Sequence, residues 1–176
     1  MKKVLLLALV ALFLTSCGAS RKPTKTVVIG TPTTTVSTKR ISKVIQHAKT
    51  FEGTRYKFGG TDRKGMDCSG LVYVSFKKEN IELPRISREM AKQGIRLKLN
   101  ETEKGDLVFF KTSKNRKTIN HVGLVVQNKK GVIRFIHSTS SRGVIVSSLT
   151  EKYWKNAFVE VRRIIPNFLS SLGLFC

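Results

Sequence analysis

Acids are scarce in this sequence. Eleven Asp and Glu stand against 33 Lys and Arg, a formal charge of +22 over 176 residues. Such a surplus points to a polyanionic partner or surface: nucleic acid, anionic lipid headgroups or a carboxylate-rich cell wall. Cysteine is scarce too, with only Cys17, Cys68 and Cys176. An odd, widely spaced trio excludes a disulfide framework. Long apolar runs are also missing. The unbroken run from Val4 to Leu14 falls well short of the roughly 20 residues that a membrane-spanning helix needs. What is present is a 40% hydrophobic content, enough for a core, and a length that suits one domain plus processing or linker segments.

The chain opens as an export signal over residues 1–16. Lys2 and Lys3 precede the apolar run, which ends in Leu14-Thr15-Ser16-Cys17. This box resembles the bacterial lipoprotein cleavage site. The resemblance implies cleavage before Cys17, a diacylglycerol on its sulfur, and a multiply acylated N-terminus that anchors stably to a membrane. Gly18 follows the cysteine, and the Asp that would suggest inner-membrane retention is absent. The expectation is therefore a lipid-anchored envelope protein, at the outer membrane facing the periplasm. Export also sets nucleic acid aside as a partner. Residues 17–40, rich in Thr, Ser, Lys and Pro, read as the lipidated N-terminus and a flexible tether.

A domain is expected over residues 41–165, with an apolar tail at 166–176. Ile41, Val44, Ile45, Ala48 and Phe51 recur at helical spacing, and Gly53 ends that helix. A second helix starts at Cys68. Pro84 to Ser87 suggests a short third helix running to Gln93, with Ser87 as N-cap and Gly94 as the stop, although the capping-box Glu is missing. From residue 105 the pattern turns to strands: 107–110, 119–126, 132–137, 144–146 and 158–165. Helices first and strands second predicts an α+β fold, with helices packed on an antiparallel sheet of about five strands.

Cys68 carries the chemistry this order could serve. It follows a Gly-rich loop (Gly59, Gly60, Gly65) and opens a helix. A helix N-terminus offers partial positive charge and unpaired N–H groups, which favour thiolate and could hold an oxyanion. The bland alternative is a small buried core cysteine. His121 and His137 lie on consecutive strands. Paired through the turn at 128–131, both imidazoles reach one face, and a helix packed on that face would bring Cys68 to them. A thiol, a base and an orienting group are what nucleophilic catalysis needs. A zinc site of one Cys and two His is the competing use of the same trio, but the three lack close ligand spacing. Asp67 reads as a helix cap and Asp106 as a turn residue.

Four segments then make a resemblance specific: Tyr56-Lys-Phe-Gly-Gly60, Asp67-Cys-Ser-Gly-Leu71, Gly105-Asp-Leu-Val-Phe-Phe110 and His121-Val-Gly-Leu-Val125. Pro84-Arg85 and the His137-Ser segment also fit. In order and spacing the chain resembles the NlpC-type, papain-like cell-wall cysteine peptidases, in particular their lipid-anchored murein endopeptidases. The resemblance implies a papain-like fold and Cys68 as nucleophile. It implies His121 as general base, His137 as the orienting residue, and Tyr56 beside the thiolate at the oxyanion. It implies peptidoglycan as substrate, with no cofactor and no metal. The reaction would be hydrolysis of stem-peptide or cross-link amides through a thioester. A non-catalytic wall-binding lipoprotein is the alternative. Phe58 stands where the family often has Trp, and the tail ending in Cys176 is outside the pattern.

Overall fold

The computed structural model describes residues 32–113 and 117–166. The export segment, Cys17 with the first part of the tether, residues 114–116 and the tail from 167 lie outside the described residues. Helix α1 spans Pro32–Lys49. It therefore begins inside the stretch read as a tether. Pro32 suits its first position, where a fixed φ helps and the missing N–H is not needed. The stripe works as expected: Val44 and Ala48 are fully buried, and Ile41 and Ile45 pack beside them.

A small hairpin, β1 (Thr61–Asp62) and β2 (Gly65–Met66), precedes α2 (Cys68–Lys77). After a short α3 (Ser87–Met90) come β3 (Ile95–Leu97), β4 (Leu107–Phe110), β5 (His121–Lys129), β6 (Val132–Thr139) and β7 (Gly143–Ser148). The order ends with α4 (Lys152–Ala157) and β8 (Phe158–Arg163). Six strands form one sheet in the order β3-β8-β4-β5-β6-β7, each antiparallel to its neighbours. The fold is α+β with helices on an antiparallel sheet. The sixth strand, β3, is a three-residue edge piece paired to Val161–Arg163, too short and polar to announce itself. Ser87 is not the cap of α3: Ile86 holds the N-cap position and the helix stops at Met90.

The sheet has an apolar cluster on each side. On one, Leu71, Val72 and Phe76 of α2 meet Val122, Leu124 and Ile136. On the other, Val108, Phe110, Val125, Ile133 and Phe135 lie under Trp154 and Ala157 of α4. β4 is central, so all four of its residues are buried. This arrangement corrects one expectation. Helix α2 does not pack on the histidine face; His121 and His137 sit with Phe135 and Trp154 on the other side. The physical reason is the shape of each face. Val122, Leu124 and Ile136 give α2 a continuous aliphatic floor. The opposite face has Gly123, where a Cβ would run into the Phe135 ring.

Candidate active site

Cys68 and His121 meet at the ends of their elements. Cys68 is the first residue of α2 and His121 the first of β5. The thiol Sγ lies 4.0 Å from the carbonyl oxygen of Asn120. The backbone N–H of Val122 points at the same sulfur. These two residues flank His121, so the thiol addresses the strand where the imidazole is carried.

The start of α2 is rigidly built. Asp67 is the N-cap and accepts from the N–H of Gly70 at 2.6 Å, as the sequence predicted. Its other oxygen accepts from the N–H of Gly59 at 2.8 Å. Arg85 donates to both carboxylate oxygens, at 2.9 and 3.0 Å, and also to Ser69 Oγ and the Gly60 carbonyl. Burial works to raise the Asp67 pKa, but the Arg85 and amide hydrogen bonds outweigh it and hold the group below its ordinary value. Gly70 must be glycine for this loop to dock, since a Cβ there would meet the Gly60 carbonyl. Sequence reasoning gave Arg85 no such duty; Pro84-Arg85 was only part of a matching segment.

Behind His121 runs a relay. His121 Nε2 lies 2.8 Å from His137 Nδ1, and His137 Nε2 lies 3.0 Å from Ser147 Oγ. One proton arrangement makes His121 a base. Nε2–H of His121 donates to His137, whose own Nε2–H donates to Ser147. The lone pair on His121 Nδ1 is then left to accept a thiol proton. Trp154 holds the pair in place: it stacks on His121 at 5.2 Å between centroids and meets His137 edge-on at 4.5 Å. Ser147 and Trp154 were missed by sequence reasoning. The only signal available was that Trp154 is the sole tryptophan of the chain.

Charge in this site is suppressed by burial. The Cys68 thiol is pushed up to about 11, first by burial and then by the Asp67 charge, against the N–H groups of Val122, Ser69 and Cys68 itself. His121 is pushed down to about 4 by burial, with Asp67 opposing. His137 is lowered further, by burial, by His121 and by Arg142. The helix terminus was expected to favour thiolate. Here desolvation opposes the charged form of both groups, raising the thiol and lowering the imidazole. Tyr56 lies in the same electrostatic neighbourhood: its phenol is raised by burial, then by Cys68 and Asp67. The two imidazoles bind each other rather than converging on one ion. Among the described residues no group of three or more His, Cys, Asp or Glu is placed to hold a metal.

The profile of the NlpC/P60 family matches residues 53–163. "Probable endopeptidase NlpC homolog" of Haemophilus influenzae is 42% identical over 114 residues, covering 64% of this chain and 57% of that protein. "Murein DD-endopeptidase MepS/Murein LD-carboxypeptidase" of Escherichia coli is 36% identical over 125 residues, covering 70% and 63%. This chain thus spans about three fifths of the length of those two relatives. "Probable endopeptidase NlpC" of Escherichia coli is 34% identical over 160 residues, covering 90% and 97%. Among solved structures, an NlpC/P60 family protein from Bacillus cereus superposes with a TM-score of 0.65 at 28% identity, covering 72% of this chain and 40% of that one.

Proposed function

The chain belongs to the NlpC/P60 family, and from that premise we propose that it is a cysteine endopeptidase hydrolysing amide bonds in peptidoglycan stem peptides or cross-links. The observation that carries the reading is the thiol of Cys68 lying against both neighbours of His121, with His137 and Ser147 lined up behind the imidazole.

In this reading His121 Nδ1 takes the thiol proton as Sγ attacks the amide carbonyl carbon. Transferring one proton creates sulfur anion and imidazolium together, and their attraction offsets part of the desolvation that opposes each alone. The carbonyl electrons move onto oxygen, where the Cys68 N–H and the Tyr56 hydroxyl are the candidate donors. Collapse breaks the C–N bond, and His121 gives its proton to the leaving amine. The acyl group stays on sulfur as a thioester. Water then attacks, His121 takes its proton, and the thiol is released. His137 and Ser147 fix the tautomer and ring orientation throughout.

Mass spectrometry of defined muropeptides after digestion with the full chain tests this. Cleavage is expected from the wild type, with and without chelator, and none from Cys68→Ala at an unchanged circular dichroism spectrum. Cleavage lost to a chelator and restored by zinc would replace the thiol mechanism with a metal one. Binding of peptidoglycan without cleavage would favour the wall-binding alternative.

The same reading places the chain in the cell envelope. Anchoring at the outer membrane through lipid on Cys17 rests on the Leu14-Thr15-Ser16-Cys17 box alone. Metabolic labelling with a palmitate analogue checks it: label should be lost in Cys17→Ala, and its persistence would remove that anchor.

A further inference from the structure

The sheet face that carries Trp154 runs on into an open apolar groove. Two hollows of about 240 and 540 Å³ adjoin there, with Leu99, Gly131 and Ile133 as shared walls. Ile133 and Leu149 belong to the buried cluster around Trp154, and Phe158 packs against it. All three line the groove, so it is an uncovered shoulder of that cluster. Leu99 is 45% exposed. Neither hollow is lined by Cys68, Tyr56, His121 or His137.

Charge narrows what could cover the groove. Lys155 lines it. Lys98, Lys129 and Lys130 are exposed and adjoin Leu99, Asn128 and Gly131 in the chain. None of the four pairs with an acid among the described residues. Two copies joined through this face would bring those cations together, in a chain of net charge +22. An apolar cover without cations meets no such repulsion and removes the groove from water.

The chain itself supplies such a segment. Residues 167–176, Asn-Phe-Leu-Ser-Ser-Leu-Gly-Leu-Phe-Cys, lie outside the described residues and carry Phe168, Leu169, Leu172, Leu174 and Phe175 but no charged side chain. Their root is close to the groove. Arg163, just ahead of Pro166, donates from Nη2 to the carbonyl oxygen of Glu101 at 3.0 Å. Glu101 ends the short turn Leu99–Glu101, whose first residue walls the groove. A segment of this length reaches up to roughly 33 Å when extended. We propose that residues 167–176 dock in this groove, with their Phe and Leu side chains against Leu99, Ile133, Leu149 and Phe158. The tail then closes the shoulder of the cluster whose Trp154 stacks on His121. This assignment stands independently of the peptidase reading.

Cys176 makes the tail its own probe. In the full-length chain, Cys17→Ala with Cys68→Ala leaves it as the sole thiol. A second thiol is then placed at either end of the groove, as Asn100→Cys or Lys155→Cys, both at exposed positions. Gln93→Cys is the control: it is exposed and precedes Gly94, which abuts Arg163 and Ile164 at the root of the tail. Disulfide formation under a copper catalyst is timed, and the linked peptides are identified by mass spectrometry. A docked tail holds its thiol at a high effective concentration beside the groove. At least one groove position should therefore link to Cys176 within the same chain about tenfold faster than position 93 does. Adding Phe168→Ser and Leu169→Ser should bring that rate down to the control's. Equal rates at groove and control, or a fast rate that survives the two serines, would overturn the docking. A linkage joining two chains would overturn it in favour of a second copy in the groove.

Discussion

At the scale of single residues, the proposed mechanism divides labour between two histidines that look alike in sequence. In the proposed mechanism His121 exchanges a proton with sulfur and with the leaving amine, so it would act in both half-reactions. His137, bonded to the ring of His121, and Ser147, bonded to His137, would only orient it. Removing a positioned base costs about 10²–10⁴-fold, and residues acting as a unit are not additive. We therefore expect His121→Ala to be as inactive as Cys68→Ala on one defined muropeptide. His137→Ala should retain measurable turnover, His137→Asn or His137→Gln should recover part of the loss, and Ser147→Ala should fall less than His137→Ala. The pH profile separates these roles further. A base whose pKa lies near 4 is neutral across the physiological range and takes up a proton only as pH falls toward that value. Wild-type kcat/KM should then stay level through neutrality and decline only below about pH 5. Turnover by His121→Ala with an inert His137→Ala would reverse the two assignments. Cys68, His121, His137 and the capping role of Asp67 were legible because each sits at a fixed place in a local motif. Ser147 and Trp154 were not, because they reach the histidines across the sheet and from α4. Nothing within a few residues of Ser147 marks it out from the other serines of the chain.

Elements show the same split between local and distant information. The stripe of α1, the start of α2 and the strand from His121 follow from periodicity and capping. The side of the sheet on which α2 packs does not, since two faces of alternating residues compete and only their detailed shape decides. The far partner of Asp106 was also invisible. The sequence suggests a turn residue, and its carboxylate does accept the Glu103 N–H at 2.7 Å. It is also buried and gripped by Arg163 at 2.8 and 2.9 Å, which ties the start of β4 to the end of β8. Burial pushes the Asp106 carboxyl above its ordinary value, with the Arg163 and Glu103 hydrogen bonds opposing. Removing one partner of a buried pair leaves the other charge uncompensated, at a cost of about 3–5 kcal/mol. Arg163→Ala should therefore lower stability by roughly 3 kcal/mol in urea unfolding, whereas Asp106→Asn with Arg163→Met together should cost less than Arg163→Ala alone. A single variant as stable as the wild type would show that the pair holds nothing together. The edge strand β3, which pairs only with β8, should lose protection first in hydrogen exchange of Arg163→Ala.

On the scale of the whole molecule, charge is organised rather than merely abundant. Acids are few, and several of them are occupied inside the fold: Asp67 by Arg85, Asp106 by Arg163, Glu160 by Arg162 and Arg96. The surplus of cations is therefore left on the surface. Lys111 and Lys117 bracket the basic segment ahead of His121, and Arg55, Lys57, Arg63 and Lys64 are exposed on the loop and hairpin that lead to Cys68. Both approaches to the site thus carry a surplus of positive charge, with Asp62 the acid of the hairpin. Among the described residues no helix is long and apolar enough to cross a membrane. Under the proposed reading, a lipid at Cys17 and this positive surface would be two independent ways of staying near the wall. Attraction of this kind acts at long range and is screened within about 10 Å at 0.1 M salt and about 3 Å at 1 M. Hydrogen bonds inside the buried relay are not screened in that way. Binding and chemistry should then separate under salt. Cosedimentation of Cys68→Ala with purified sacculi avoids cleavage during the measurement and should show retention falling steeply between about 0.05 and 0.5 M salt. Turnover of a small, weakly charged muropeptide by the wild type should change much less over the same range. Retention of the inactive variant that holds constant from low to high salt would mean that the basic surface is a solvated face, and that any binding to sacculi goes through the site alone.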